Sequence, residues 1–478
     1  MKNLAKEIIK QEILDELMLK ERLAIKIKAI VSVGSRTFFT LKSKDRKNAN
    51  IEENELIVIR CNKNNKKYEF IGKTKKWGKI NIPLEISKFL NLINHELIDI
   101  ELIKNSPFNN FKKEGEIDLK EIVREKGFST INRNNKFITL YKKQQTPITI
   151  RRYIKIGKEI IEAIYLMHGD GHYKSKLFFS NTNYELHKFI IKNFEKGLDV
   201  PKDLWKFRVN HSKKELVGKS INFWSERLQV KKTRFYETKK LSKFNTKEFG
   251  DLRIIIDNLI VAGLFRFLIK EINLKSYEEN IHALNGILNA EGSAQPGKKG
   301  LHKITISFNQ DEKLMFKKLL ENSELDIFEI EQNSRFCIRG WEKQYYFIRK
   351  FLDFKTVPFN GHVERRFNTV NGFLEHSYTK TLMKYLNNIE DKDLNYKELA
   401  KKLNQRTNSV LDTLNKERYK KFILIKNKMV KITEEGINFI KYIEELEIIL
   451  KSTTKEYNCY IYEIEKFNQE VKNEQTTI

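Results

Sequence analysis

The segment Ile281–Ala294 has the sequence IHALNGILNAEGSA, and it decides how the centre of this chain folds. Apolar residues recur in it at the spacing of one helix face, namely Ile281, Leu284, Ile287 and Leu288. Gly286 and Ala290 stand four residues apart, and small residues at that spacing allow a second backbone to approach closely. Gly292 can end the helix directly after Glu291. The segment therefore predicts a tightly packed helix with an acid at its C-terminal end.

An acid at this end of a helix is unfavourable unless a cation lies beside it. The carbonyl groups there form the negative pole of the helix dipole, where a basic side chain is normally favoured. The position of Glu291 therefore indicates a bound cation.

A second segment, Ile160–Tyr173, has the sequence IIEAIYLMHGDGHY and ends in the same way, with Asp170 and Gly171. Both segments are followed by a strand and an amphipathic helix, then by further strands and another helix. The two acids are separated by the length of a small domain. A repeat of this length predicts two related units in one chain.

The residues after Glu291 continue the α/β pattern. Gln295–Gly300 has the composition of a turn, and the strand after it alternates polar and apolar residues. Helices are predicted over Asp311–Asn322 and Trp341–Leu352. Between them lies a strand pair with arginines on one face and apolar residues on the other: Arg335 and Arg339 against Phe336 and Ile338.

These residues resemble the motif of the LAGLIDADG homing endonucleases, with Leu284–Gly292 in register and Ala163–Gly171 as a second copy. Tyr165 departs from the pattern, because the family usually has glycine there, and its bulk opposes close packing. The resemblance implies an α+β fold with two pseudo-symmetric αββαββα repeats that form a saddle over DNA. The predicted repeats span residues 151–275 and 276–388.

In that family the two acids meet near the scissile phosphates. The resemblance therefore implies a DNA endonuclease in which Asp170 and Glu291 are catalytic and hold Mg²⁺, with Gly169 and Ala290 beside them in the metal site. Two carboxylates brought so close repel each other without a cation. The resemblance also suggests DNA-facing residues opposite the apolar strand faces, for which a solvated sheet face is the alternative: Lys303, Thr305, Ser307, Arg335 and Arg339.

The composition favours a polyanionic partner. The chain carries a formal net charge of +28 and a pI near 9.6, which suits double-stranded DNA first and an anionic membrane surface second. A generally lysine-rich proteome is the alternative explanation of this charge. Three separated cysteines without a CxxC pair argue against a zinc ribbon and for a reducing compartment. No apolar stretch approaches the roughly 20 residues of a membrane span, so we expect a cytoplasmic protein.

Two further segments resemble DNA-binding modules. Within a β-rich domain predicted for residues 1–150, residues 77–103 resemble the swapped hairpins of AbrB-like proteins: Gly78, Ile82, Pro83, Ile86 and Leu90 match. A plain β-rich accessory domain is the alternative. Residues 389–450 show the order helix, helix, hairpin, helix of a winged helix, with Gln405, Arg406 and Asn408 as candidate DNA contacts. Residues 451–478 have weak periodicity and are predicted to be a tail or a frayed helix.

Three functions share these features. The first is a site-specific, monomeric endonuclease of the homing type. The second is a DNA-binding regulator that does not cut, because WhiA-like sporulation regulators also join a LAGLIDADG scaffold to a helix-turn-helix. The third is a maturase, for which RNA is the partner. Both acids favour cleavage, whereas Tyr165 and the added DNA-binding modules favour regulation.

Overall fold

The computed structural model of the chain describes residues 22–33, 37–48, 51, 56–63, 66–75, 78–82, 84–105, 116–125, 127–132, 137–213, 216–237, 249–332, 334–389 and 394–475. It is a mixed α+β structure, as predicted. The spacing of Leu4, Ile8, Ile9, Ile13 and Leu17 also predicts an amphipathic helix from residue 1 to about residue 22, but residues 1–21 lie outside the described ranges, as does Pro83 of the AbrB-like segment.

The N-terminal part is a sheet with the strand order β4-β3-β6-β1-β2-β5. Its elements are β1 (Arg22–Ser32), β2 (Phe38–Thr40), α1 (Ser43–Asn48), β3 (Leu56–Lys63), β4 (Lys66–Lys73), β5 (Lys79–Asn81), α2 (Leu84–Phe89) and β6 (Leu97–Asn105). The strand, helix and strand predicted over residues 77–103 correspond to β5, α2 and β6. Buried Ile82, Ile86 and Leu90 place this segment in the core of the sheet domain.

Residues 116–155 belong to a different core. They form β7 (Glu116–Asp118), β8 (Phe128–Asn132), β9 (Phe137–Lys142), β10 (Ile148–Arg151) and β11 (Tyr153–Lys155). Leu119, Phe128, Ile138 and Ile150 are buried together with the apolar residues of the first repeat. The boundary predicted at residue 150 therefore falls inside a packed unit, within strand β10.

The first repeat is an αββαββα unit with one helix and one strand inserted between its third and last strands. Its elements are α3 (Lys158–Asp170), β12 (Gly171–His172), β13 (Leu177–Asn181), α4 (Tyr184–Gly197), β14 (Trp205–Asn210), α5 (Val217–Leu228), β15 (Phe235–Glu237), β16 (Asp251–Ile256) and α6 (Leu259–Glu271). The strand order is β12-β13-β16-β14-β15, and β15 pairs parallel to β14 as the added edge strand.

The second repeat has the same topology without the insertion. Its elements are α7 (Tyr277–Glu291), β17 (Gly292–Gly297), β18 (Gly300–Ser307), α8 (Gln310–Asn322), β19 (Glu329–Glu331), β20 (Arg335–Arg339) and α9 (Trp341–Leu352). The strand order β17-β18-β20-β19 is that of the first repeat when β15 is left out. The segment predicted as a turn over Gln295–Gly300 is mostly strand, and the chain reverses at Lys298 and Lys299.

Helices α3 and α7 pack side by side. A Cβ atom added to Gly286 of α7 would lie 2.4 Å from the carbonyl oxygen of Glu162 on α3. It would also lie 3.0 Å from Cβ of Tyr165, which is buried in the core of the second repeat. The large residue of one helix therefore faces the glycine of the other, and the bulk of Tyr165 does not keep the backbones apart.

The C-terminal part begins with helices that no sequence pattern predicted, α10 (Val363–Leu374) and α11 (Ser377–Ile389). It continues with β21 (Leu394–Asn395), α12 (Tyr396–Lys402), α13 (Thr407–Leu414), α14 (Glu417–Lys420), β22 (Ile423–Lys426), β23 (Met429–Ile432) and α15 (Glu434–Gln475). The predicted order of helices and hairpin is therefore present. The hairpin turn is formed by Asn427 and Lys428, and both have positive φ angles as a type I′ turn requires.

Helix α15 joins the two repeats. It has 42 residues, so it is about 60 Å long. Phe439 and Leu446 lie in the core of the second repeat, whereas Tyr460 and Phe467 lie in the core of the first. The prediction of a tail is therefore wrong for residues 451–475, because these apolar side chains are buried against another unit. Among the described helices, none combines the length and apolar character needed to cross a membrane.

Gly286→Ala should lower the free energy of unfolding by about 1–3 kcal/mol, because the new methyl group overlaps a backbone carbonyl that cannot move aside. Gly218→Ala in α5 is the matched control, since a Cβ there meets nothing within 4 Å and alanine is the better helix former. Urea unfolding of both variants measures the difference. Equal stability of the two variants would show that α3 and α7 do not touch at Gly286.

Candidate functional site

The two acids at the helix ends lie side by side. Asp170 is the last residue of α3 and Glu291 is the last residue of α7. The helix ends are level, since a Cβ atom on Gly169 would lie 2.6 Å from Cβ of Ala290 and 3.5 Å from Cγ of Glu291. Close packing of α3 and α7 thus brings both carboxyl groups to the same end of the interface.

Both carboxyl groups hold their protons more strongly than usual. Burial raises the pKa of Asp170 to about 6, although Asn181 donates a hydrogen bond of 2.8 Å to its Oδ2 and Arg365 is close. Burial, together with repulsion from Asp170 and then from Glu312, raises the pKa of Glu291 to about 7. A divalent cation between the two groups would remove this repulsion, and carboxylates are the oxygen ligands that Mg²⁺ uses in proteins.

A cation of the protein itself already lies at this helix end. Arg365 of α10 donates from Nη1 to the carbonyl oxygens of Asn289 at 2.9 Å, Ala290 at 3.2 Å and Leu288 at 3.3 Å. It therefore supplies the positive charge that the C-terminal end of α7 favours. The inference that Glu291 by itself indicates a bound metal ion is weakened accordingly. Sequence reasoning missed Arg365 because α10 follows both repeats.

A polar cleft of about 440 Å³ opens beside Asp170. Its walls come from both repeats and from α10, and they include Ser180, Asn181, Asp251, Ser293, Arg365 and Asn368. Asp251 accepts hydrogen bonds from Ser180 at 2.7 Å and Asn210 at 3.3 Å, so it is held by its own sheet.

The ligand set for a metal ion is small. Within the described ranges, no group of three or more His, Cys, Asp or Glu side chains is arranged to hold an ion. A Mg²⁺ ion would thus have the carboxylates of Asp170 and Glu291 as its acidic ligands, with water completing its shell, which is how this ion is commonly bound. Gly169 and Ala290 lie at the same place, but the carbonyl oxygen of Ala290 already accepts from Arg365.

The five candidate DNA-facing residues of the second repeat share one sheet face. Lys303 pairs with Arg339, and Ser307 with Arg335, while Ile304 and Ile338 are buried on the other side. Lys303 and Arg339 both form ion pairs with Glu331, which lowers the net positive charge of this sheet face. Thr305 is only 3% exposed, so a ligand on this face could reach little of it.

The first repeat has a basic face that sequence reasoning missed. Arg208 of β14 and Arg253 of β16 stand directly opposite each other, and Ser180 flanks Arg253 on β13. Burial and the charge of Arg208 lower the pKa of Arg253. Like charges opposite each other destabilise a sheet unless an anion lies between them. The alternation of polar and apolar residues in WKFRVN and at the start of DLRIII could have predicted that Arg208 and Arg253 lie on the polar face of the sheet.

The three C-terminal candidates lie at the start of α13. Arg406 is the N-cap residue of this helix, and Gln405, Arg406 and Asn408 are all exposed. Gln405 accepts a hydrogen bond of 2.8 Å from the hydroxyl group of Tyr385, which anchors this loop to α11.

Next to the acids, His168 is a structural residue. Its Nδ1 lies 2.9 Å from the hydroxyl oxygen of Tyr173, and burial lowers its pKa, which favours the neutral ring.

The site thus combines two carboxyl groups, one guanidinium group and basic sheet faces in both repeats. No protein-family model matches this chain, and no curated protein matches it. Its charges and geometry suit a hard divalent cation at the helix ends and a polyanion across the sheets.

Asp170→Asn should stabilise the protein at pH 8 by about 1–3 kcal/mol. The folded-state pKa of Asp170 is raised, so the folded protein binds this proton more strongly, and stability falls as the pH rises from about 4 through about 6. The Asp170→Asn side chain cannot titrate, so the free energy of unfolding of this variant should fall less over the same pH range. Urea unfolding at pH 5 and pH 8 measures it, with exposed Asp203→Asn as the control. An equal pH dependence in wild type and Asp170→Asn would contradict the burial of this carboxyl group.

Proposed function

We propose that the protein is a site-specific DNA endonuclease of the LAGLIDADG homing type, in which Mg²⁺ assists phosphodiester hydrolysis. One observation carries the proposal. Two units of the same topology pack through their first helices, and these helices end together in Asp170 and Glu291. Two partly buried carboxyl groups of raised pKa at one interface are costly for packing and useful for binding a cation.

The chain's own residues would divide the chemistry between them. Asp170 and Glu291 would hold Mg²⁺, and Asn181 keeps the Asp170 carboxyl group oriented through Oδ2. Bound there, Mg²⁺ supplies charge neutralisation at the phosphate and a more acidic water molecule. The tight contact at Gly286 fixes the distance between the two acids. This distance would determine which phosphate of each DNA strand the acids can reach.

The basic faces support duplex DNA as the substrate. Arg208 and Arg253 in the first repeat and Arg335 in the second lie on the polar faces of their sheets. In the saddle that we propose, these faces follow the DNA on either side of the acids. We also propose that residues 389–450 act as a winged helix that touches the same duplex through Gln405, Arg406 and Asn408, and that the N-terminal sheet adds an AbrB-like contact.

A DNA-binding regulator that does not cut is the second candidate. Arg365 favours it, because a guanidinium group beside the acids partly balances their charge without a metal ion. Binding without cleavage would then be the whole function.

Cleavage is tested on a DNA site that the protein selects itself. A randomised duplex pool is enriched for binding in Ca²⁺, the selected site is cloned into a plasmid, and Ca²⁺ is replaced by Mg²⁺. Wild type should linearise the plasmid, whereas Asp170→Asn and Glu291→Gln should lose at least about 100-fold in rate and keep their affinity. Asp203→Asn should cut normally. Tight binding by wild type without cutting would establish the regulator instead.

Salt dependence tests the C-terminal contact. Arg406→Gln should lower the slope of log affinity against log salt by about 1 if Arg406 contacts one phosphate. Exposed Lys317→Gln on α8 is the charge-matched control. A point substitution is needed, because removing residues 389–478 would also uncover the apolar surfaces that α15 buries in both repeats. The same slope in wild type and Arg406→Gln would exclude this contact.

A further inference from the structure

Arg365 is held on one side and open on the other. Its Nη1 is bonded to carbonyl oxygens at the end of α7, the shortest of these bonds being 2.9 Å. In the part of the chain that the structure describes, no group accepts from its Nε or Nη2, and the residue lines the cleft beside Asp170. A guanidinium group fixed in this way presents the planar donors that match two oxygens of a phosphate.

The two halves of the site are unequal. Arg365 and Asp170 both line the cleft, and the charge of Arg365 acts more strongly on the carboxyl group of Asp170 than on that of Glu291. Each carboxyl group also has a second acid that repels its negative charge, Asp251 for Asp170 and Glu312 for Glu291, so the difference between the halves lies in Arg365.

The inequality comes from the order of the chain. Arg365 is supplied by α10, which follows the second repeat. The first repeat ends with α6 at Glu271, and α7 begins at Tyr277, so the connection has no room for an equivalent helix. The symmetry of the two repeats therefore does not extend to this cation.

We propose that Arg365 binds the scissile phosphate of one DNA strand, in the half of the site that contains Asp170, so that this strand is cut first. The inference rests on the proposed endonuclease function. In hydrolysis, the oxygen of water bonds to phosphorus, one bridging P–O bond breaks, and the proton of water passes to the leaving oxygen. Negative charge grows on the phosphate oxygens during this step, and Arg365 stabilises it on one strand only.

The experiment follows each strand separately. A supercoiled plasmid that carries the selected site is incubated with the full chain and Mg²⁺, and a linear duplex of the same site is labelled on one strand or the other. The nicked plasmid should accumulate before the linear form, with the nick on one defined strand. Arg365→Gln should slow that strand by about 100-fold and leave the rate for the other strand nearly unchanged.

Two further variants make the result specific. Arg365→Lys keeps the charge but not the fork of donors, so it should recover part of the rate on the first strand. If Arg365→Gln does not fold, a slowing of the first strand alone in Arg365→Lys, relative to wild type, carries the test. Lys317→Gln removes one exposed charge from α8 and should keep both rates.

The possible results distinguish a failure of the strand order from a failure of the endonuclease function. Equal rates for the two strands in wild type, or equal slowing of both by Arg365→Gln, would overturn the strand order and leave the endonuclease intact. Binding of the selected site without any cleavage by wild type would overturn the endonuclease, and the strand order with it.

Discussion

The contact between α3 and α7 at Gly286 is the constraint on which the rest of the structure depends. A carbonyl oxygen of α3 lies where a side chain on Gly286 would be, so the two helices meet backbone to backbone. Each helix begins its own repeat, and this contact therefore joins the cores of the two repeats directly. Because the helices end level, it also brings Asp170 and Glu291 together in a partly buried place beside the cleft.

Burying two acids together has an energetic cost that the surroundings only partly offset. The pKa values of both carboxyl groups are raised, mainly by burial, although Arg365 acts in the opposite direction. Arg365 also satisfies carbonyl groups at the end of α7. A site with this incomplete balance would gain free energy from a further cation, which is the physical reason for the Mg²⁺ in the function that we propose.

The units beyond the repeats are built into the same structure. Helix α15 buries Phe439 in one core and Phe467 in the other, so it ties the two halves together over a long distance. Arg349 and Arg227 bind Glu435 and Glu463 of the same helix at 2.6 and 2.8 Å.

The sequence by itself determined the two motif helices, their terminal acids, the polar and apolar faces of β18 and β20, and the helix and hairpin order of the C-terminal part. These features follow from the spacing of apolar, polar and turn-forming residues that are close together along the chain. Only the tertiary structure decided that Tyr165 faces Gly286, that Arg365 lies beside the acids, and that residues 451–475 pack against the first repeat. Each of these depends on contacts between residues far apart in the chain, and no local pattern encodes them.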